Sequence, residues 1–186
     1  MIPLPFRRPK RSATIDALYG MIVAQARSAE FYRSYGVPDT VDGRLDMIVL
    51  HVVLVLRQLT RVHGSLPPAG QQLFDRFCAD IDGNFREMGV GDFAVPKRMQ
   101  KVGEAFYGRS KVYDGALTDD DPSVLEAAVA RNVFGAPEAA LGARRLAAYM
   151  REAAGRLERH DAGALEAAKF EFPDPATVKV PAATEH

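Results

Sequence analysis

The sequence predicts an all-α protein in which a single domain of six or seven helices packs as a bundle. Apolar residues recur at three- and four-residue spacing along nearly the whole chain, which is the period of an amphipathic helix. No run alternates apolar and polar residues between hairpin turns, as a half-buried strand would. The 186 residues, of which 47% are hydrophobic, suffice for one well-packed core and are few for two.

The first two helices follow from this periodicity. One is predicted from Ser12 to about Tyr35, with Ser12 or Thr14 in position to cap its first turn. The second is predicted from near Asp42 to Gly64, and its run IVLHVVLVL makes it apolar on nearly every side. That run is well short of the roughly 20 residues that a membrane-spanning helix needs. We therefore expect this helix at the centre of the bundle.

The next two helices are marked by proline and glycine. The third is predicted from Pro68 to Met88, where Gly89 supplies the left-handed residue that commonly ends a helix. The fourth is predicted to open at Pro96, because proline in the first turn loses no backbone hydrogen bond, and to continue towards Tyr113.

The rest of the chain predicts two more helices and a tail. Asp121 is placed to cap a short helix that runs to Asn132, and an Ala-rich helix follows over roughly residues 138–159. Three prolines after about Phe170 predict an extended or disordered end. The chain therefore divides into a basic lead-in over residues 1–11, a helical domain over residues 12–168 and an extended or disordered tail over residues 169–186.

Charge limits the kinds of partner. The 24 basic and 24 acidic residues give a formal net charge of zero, so no overall field draws the protein to DNA or to an anionic membrane. One basic cluster, Arg7, Arg8, Lys10 and Arg11, stands near the N-terminus with no acidic residue close by. It could contact anionic lipid or ribosomal RNA, or it could be a solvated lead-in. No secretory signal is recognisable, so cytoplasm is the simplest location.

Neither a metal nor a nucleotide is expected. The single cysteine, Cys78, and the four histidines show no metal-ligand spacing. His51 lies in the apolar second helix, where a hydrogen-bonded core imidazole is the simpler interpretation and a haem ligand the alternative. Residues 89–94 formally match the dinucleotide fingerprint, but that fingerprint needs a strand before its glycines, and here a helix precedes them.

A polar stripe and a basic cluster flank the glycines. Asp80, Asn84 and Glu87 share one helix face, beside a possible Asp82–Arg86 pair. Across the glycines, Lys97, Arg98 and Lys101 open the fourth helix, where positive charge opposes the helix dipole. These cations either pair with the acids across the glycines or bind a partner. The arrangement favours a binding surface over acid–base chemistry.

Three motifs carry a family resemblance. They are DIDGNFREMGVGD at Asp80–Asp92, VPKRM at Val95–Met99, and FYGR at Phe106–Arg109 with a tyrosine following at Tyr113. In this order they resemble the ubiquinol-cytochrome c chaperones, which include the mitochondrial assembly factors for cytochrome b of the bc1 complex. The resemblance covers roughly residues 12–150.

The resemblance implies a non-enzymatic helical chaperone, without a cofactor, that binds newly made cytochrome b or another nascent respiratory subunit at the inner face of the membrane. The absence of a long transit segment suggests a bacterial member. The implied binding surface joins the third and fourth helices across a hinge at Gly89 and Gly91. Its implied partner-binding residues are Asp82, Asn84, Arg86, Glu87, Asp92, Lys97, Arg98, Tyr107, Arg109 and Tyr113.

Two other functions stay open at this point. A small helical carrier of a lipid, a quinone or haem would use the aromatic-rich helices and His51. An enzyme would use the carboxylates of Asp82 and Glu87, which requires a pocket that shifts their pKa values.

Overall fold

A computed structural model describes residues 10–135 and 141–180, and these ranges contain eight helices and no strand. The all-α prediction is confirmed. The helices are α1 (Lys10–Ala26), α2 (Ala29–Arg33), α3 (Val41–His63), α4 (Pro68–Glu87), α5 (Val95–Thr118), α6 (Pro122–Val133), α7 (Leu141–Glu158) and α8 (Ala162–Glu166). Of the basic lead-in, residues 1–9 lie outside the described ranges, and Lys10 and Arg11 begin α1.

The apolar helix α3 lies at the centre, as predicted, in contact with α1, α4, α5, α6, α7 and α8. Its first turn is capped by the Thr40 side chain, which accepts a hydrogen bond from the Gly43 amide, and it ends at Gly64 with a φ of 75°. Burying each large aliphatic side chain contributes about 1.5–3 kcal/mol to folding. None of the helices in the described ranges has both the length and the hydropathy of a membrane span.

The single helix predicted over residues 12–35 is two helices, α1 and α2. Ser28 leaves the helical region with a ψ of 126°, and α2 begins at Ala29. The Tyr32 hydroxyl donates a hydrogen bond of 2.9 Å to the Ala26 carbonyl, one of those left without a partner at the end of α1. The break turns Phe31 and Tyr35 into the core, where both are buried.

The C-terminal segment packs against this core. Residues 169–180 contain no helix, but Phe170 and Phe172 are buried. The Gln25 side chain donates to the Pro173 carbonyl at 2.9 Å, and the Tyr35 hydroxyl donates to the Pro175 carbonyl at 2.7 Å. The two phenylalanines explain why this stretch is held, despite its prolines; residues 181–186 lie outside the described ranges.

A polar network lies beneath that segment. His51 is fully buried, with Nδ1 2.7 Å from the Met47 carbonyl oxygen and Nε2 2.8 Å from the Tyr149 hydroxyl. Gln25 Nε2 donates to the same hydroxyl at 3.0 Å, and the Phe172 ring packs edge-on against the imidazole. Both nitrogens of His51 are therefore engaged, and neither is open for a haem iron.

Candidate interaction surface

The turn between α4 and α5 is closed by its own backbone. Gly89 has a φ of 76°, its amide donates to the Arg86 carbonyl, and the Val90 amide donates to the Phe85 carbonyl, each at 3.0 Å. This pair of bonds is the Schellman ending of a helix, which requires a left-handed residue at Gly89. Gly91 has no positive φ, so of the two glycines of the predicted hinge only Gly89 adopts a left-handed conformation.

Arg86 holds the turn against α4. Its Nε lies 2.7 Å from Asp82 Oδ2, and its Nη1 lies 2.7 Å from Asp92 Oδ1. The predicted Asp82–Arg86 pair is thus formed and extended across the turn. Because these side chains are largely exposed, solvent screens each pair, and the pairs add little to the stability of the turn.

The polar stripe on α4 is used partly inside the protein. Asp80 accepts hydrogen bonds from the Tyr19 hydroxyl at 3.0 Å and from Asn84 Nδ2 at 3.3 Å. Arg76 Nη1 lies 3.5 Å from the same carboxylate and Arg76 Nε lies 2.9 Å from Asp16. Burial, and secondly the Asp80 charge, raise the pKa of the Tyr19 hydroxyl. This part of the stripe therefore joins α4 to α1.

The tip of the turn presents apolar side chains to solvent. The Phe93 side chain is fully exposed, and Met88 is 52% exposed. The adjacent Arg98 guanidinium lies over the Phe85 ring, 5.6 Å from its centroid, and Lys97 is exposed. Among the described residues, neither cation forms an ion pair with an acid of α4, and the carboxylates of Asp82 and Asp92 are paired with Arg86. An exposed aromatic ring beside free cations is suited to contact with a partner.

Two of the predicted partner-binding residues belong to the packing of α5 instead. Arg109 Nη1 lies 2.6 Å from Asp46 Oδ1, and its Nη2 donates to the Asn132 carbonyl at 3.2 Å, so it joins α5 to α3 and α6. Tyr113 is only 1% exposed, and burial raises the pKa of its hydroxyl. Neither side chain is free to meet a partner in this conformation, because both are committed to internal contacts.

Tyr107 is exposed and forms one wall of a cleft. It is 66% exposed, and its ring lies 5.8 Å from Phe74 and 5.9 Å from Phe106. The cleft has a volume of about 380 Å³ and lies between α3, α4 and α5. Sequence reasoning missed it, because its lining comes from three helices and from Leu66 in the loop before α4. Leu56 and Leu66 give only a core-like signal when taken alone.

Among the described residues, side chains that could bind a metal ion are dispersed, and the single thiol is half-buried. No group of three or more His, Cys, Asp or Glu side chains within them could hold a metal ion. Cys78 is half-buried, and burial raises the pKa of its thiol, which disfavours the reactive thiolate.

Known proteins with similar sequence or structure point to one family. The family described as Ubiquinol-cytochrome C chaperone matches residues 33–172, which include the whole turn and the C-terminal segment as far as Phe172. The ubiquinol-cytochrome-c reductase complex assembly factor 1 of Xenopus laevis is 23% identical over 132 residues, which are 71% of this chain and 66% of that protein. The crystal structure of the Cbp3 homolog from Brucella abortus is 34% identical, with a TM-score of 0.80, over 91% of this chain and 93% of that one.

Proposed function

Because the chain belongs to the ubiquinol-cytochrome c chaperone family, we propose that it is an assembly factor of the bc1 complex that binds newly made cytochrome b. A membrane subunit that has not yet found its partners exposes apolar surface that promotes aggregation. The proposed task is to cover such surface until assembly, which requires binding and no catalytic step.

The surface proposed for this contact is α4, the turn and the first half of α5. The observation that carries it is the fully exposed Phe93 beside Met88, with Lys97 and Arg98 free of ion pairs among the described residues. Large apolar side chains in contact with water cost free energy that a partner can recover, and the flanking charges select the partner.

The partner-binding residues predicted from the sequence divide into those with exposed side chains and those with internal contacts. Those whose side chains reach the surface remain in the proposal: Asp82, Asn84, Arg86, Glu87, Asp92, Lys97, Arg98 and Tyr107. Arg109 and Tyr113 are proposed to act indirectly, since Arg109 holds α5 against α3 and α6 and Tyr113 is buried in the core.

The proposed location is the cytoplasm, at the inner face of the membrane where the client emerges. The basic residues Arg7, Arg8, Lys10 and Arg11 are proposed to approach an anionic surface there, either lipid or the ribosome, each contributing about 1 kcal/mol near anionic lipid.

Photocrosslinking in respiring cells tests the proposal. A benzophenone amino acid replaces Phe93, and the proteins captured on irradiation are identified by mass spectrometry. We expect enrichment of cytochrome b, with a lower yield when Lys97→Glu and Arg98→Glu are combined. Arg131→Glu, which reverses an exposed cation on α6, is the matched control and should leave the yield unchanged. If cytochrome b is captured neither from Phe93 nor in a tagged pull-down, the proposed function is wrong.

A further inference from the structure

The cleft beside Tyr107 has an apolar interior and an apolar rim. Leu56 of α3 and Phe106 of α5 lie at its base and are nearly buried, at 7% and 3% exposure. Leu66 and Tyr107 stand at the rim and are 43% and 66% exposed. Its volume of about 380 Å³ is near the lower end of the range for binding pockets. Such a cleft can accept large apolar side chains from outside.

The walls of the cleft are held in place without an occupant. The Phe74 ring packs between Phe106, at 4.8 Å, and Tyr107, at 5.8 Å, which fixes the aromatic wall. On the other side, Gly70 leaves room for Leu66, because a Cβ at Gly70 would lie 2.6 Å from Leu66 Cδ1. A preformed cleft does not have to be ordered at the moment of binding, which favours affinity.

Among the described residues, every charged side chain that lines the cleft except one forms an ion pair. Arg57 Nε lies 2.7 Å from Asp114, and its Nη1 lies 3.3 Å from Glu158, which Arg61 also contacts at 2.6 Å. Lys111 lines the same cleft and is exposed, but it has no acidic partner among the described residues. The cleft therefore presents one uncompensated positive charge beside apolar surface.

We propose that this cleft binds a segment of the client protein that places one or two large apolar side chains against Leu56 and Phe106 and a carboxylate against Lys111. The inference rests on the proposed function and deepens it by defining the chemistry of the recognised segment. The exposed rim at Leu66 and Tyr107 favours a chain that lies across the cleft. A carrier pocket would instead enclose most of its ligand.

A pair of crosslinking positions separates the two proposals. The benzophenone amino acid is placed at Tyr107 in one strain and at Phe93 in another. Capture of cytochrome b from both positions supports the cleft as part of the client surface. Capture from Phe93 alone overturns the cleft and leaves the proposed function standing. Capture from neither position overturns the cleft, and it overturns the proposed function as well when cytochrome b is also missing from the tagged pull-down.

A peptide assay on the purified full chain tests whether the cleft prefers a segment with a carboxylate near Lys111. The probes are two fluorescein-labelled peptides of about 15 residues, long enough for two turns of helical anchors, with Phe and Leu at the centre and either Glu or Lys on both sides. We expect the Glu peptide to bind about five-fold more tightly, as one exposed ion pair allows. Lys111→Glu should remove or reverse that preference, while Lys111→Arg and the control Arg131→Glu should keep it.

A second variant is designed to fill the cleft. Ser110→Phe adds a ring to the lining of the cleft and should abolish binding of both peptides in a protein that still melts cooperatively. Equal binding of the Glu and Lys peptides, or a preference that survives Lys111→Glu, would overturn the proposal. Native mass spectrometry gives a further test. If the unmodified protein carries a lipid or a quinone and Ser110→Phe loses it, the occupant is a small molecule and the proposal is overturned.

Discussion

The Tyr149 hydroxyl of α7 donates its hydrogen to Nε2 of His51 in α3, across 2.8 Å of the core. The direction follows from the other nitrogen. Nδ1 faces the Met47 carbonyl, which can only accept, so Nδ1 carries the hydrogen of a neutral imidazole and Nε2 is the acceptor. Gln25 then donates to the oxygen of the same hydroxyl. Each polar group in this chain of bonds has a partner, which is what makes its burial tolerable.

Acid should destabilise the protein through His51. Burial lowers the pKa of His51 from 6.5 to about 4 in the folded state, whereas the unfolded chain takes up a proton near pH 6.5. The stability that the neutral His51 contributes is therefore fully present above pH 6.5, and this contribution is lost as the pH falls towards 4. We expect the shifted pKa of His51 to lower the free energy of unfolding by about 2 kcal/mol when the pH falls from 7 to 5. Urea unfolding at both pH values measures it, and His51→Leu should flatten the dependence; an unchanged slope would contradict the assignment.

Tyr149→Phe should weaken the core at neutral pH. Removal of the hydroxyl leaves His51 Nε2 without its donor, at a cost of about 1–3 kcal/mol for a buried unsatisfied group, while Gln25 keeps its bond to the Pro173 carbonyl. The measurement is the urea midpoint at pH 7. Tyr32→Phe, which removes a half-buried hydroxyl that donates to the Ala26 carbonyl, is the matched control and should cost less.

Arg109→Glu should destabilise the folded protein rather than weaken its contact with a partner. It would place a second carboxylate beside Asp46, whose side chain is only 14% exposed. Burial already raises the pKa of Asp46 to about 6, against the opposing effect of Arg109. We expect a loss of about 3 kcal/mol or more, seen as a large drop in the thermal midpoint. Arg98→Glu is the exposed control on the same helix; equal midpoints for the two variants would show that Arg109 is not structural.

Substitutions at the two turn glycines should differ. Gly89→Ala forces a side chain into a left-handed conformation at a φ of 76° and should cost about 1–2 kcal/mol. Gly91→Ala meets no atom within 4 Å and has no positive φ, so we expect little change. Denaturation curves of the two variants give the comparison, and equal losses would mean that the Schellman ending does not fix the turn.

Long helices could be predicted from the sequence because their signals are local. The bounds expected for α3, from near Asp42 to Gly64, differ little from Val41–His63, since the apolar run and the terminal glycine act within a few residues. The Asp121 cap is also formed, by a hydrogen bond of 2.8 Å from the Ser123 amide. The break at Ser28 was missed, because nothing in its neighbours contradicts a continuous helix; the burial of Phe31 decides it.

The candidate surface was predictable only in part. The motifs indicated the α4–α5 turn, but a motif does not say which of its side chains point inward. Arg109 differs from the exposed Lys97 and Arg98 by its contacts with α3 and α6, which lie far away in the chain. Tyr113 differs from them by its burial in the core. The exposure of Phe93 likewise depends on the fold, since an aromatic residue between two helices usually predicts burial.

The packing of the C-terminal segment also sets the timing of folding during synthesis. Gln25 and Tyr35 are made early, yet their acceptors at Pro173 and Pro175 follow 148 and 140 residues later. At typical translation rates this gap corresponds to about 7–30 s. For that interval a nascent chain has no Phe172 to place over His51, so the last layer of its core closes only when the distant segment leaves the ribosome. A protein proposed to shelter an unfinished client must itself remain open until almost all of it has been made.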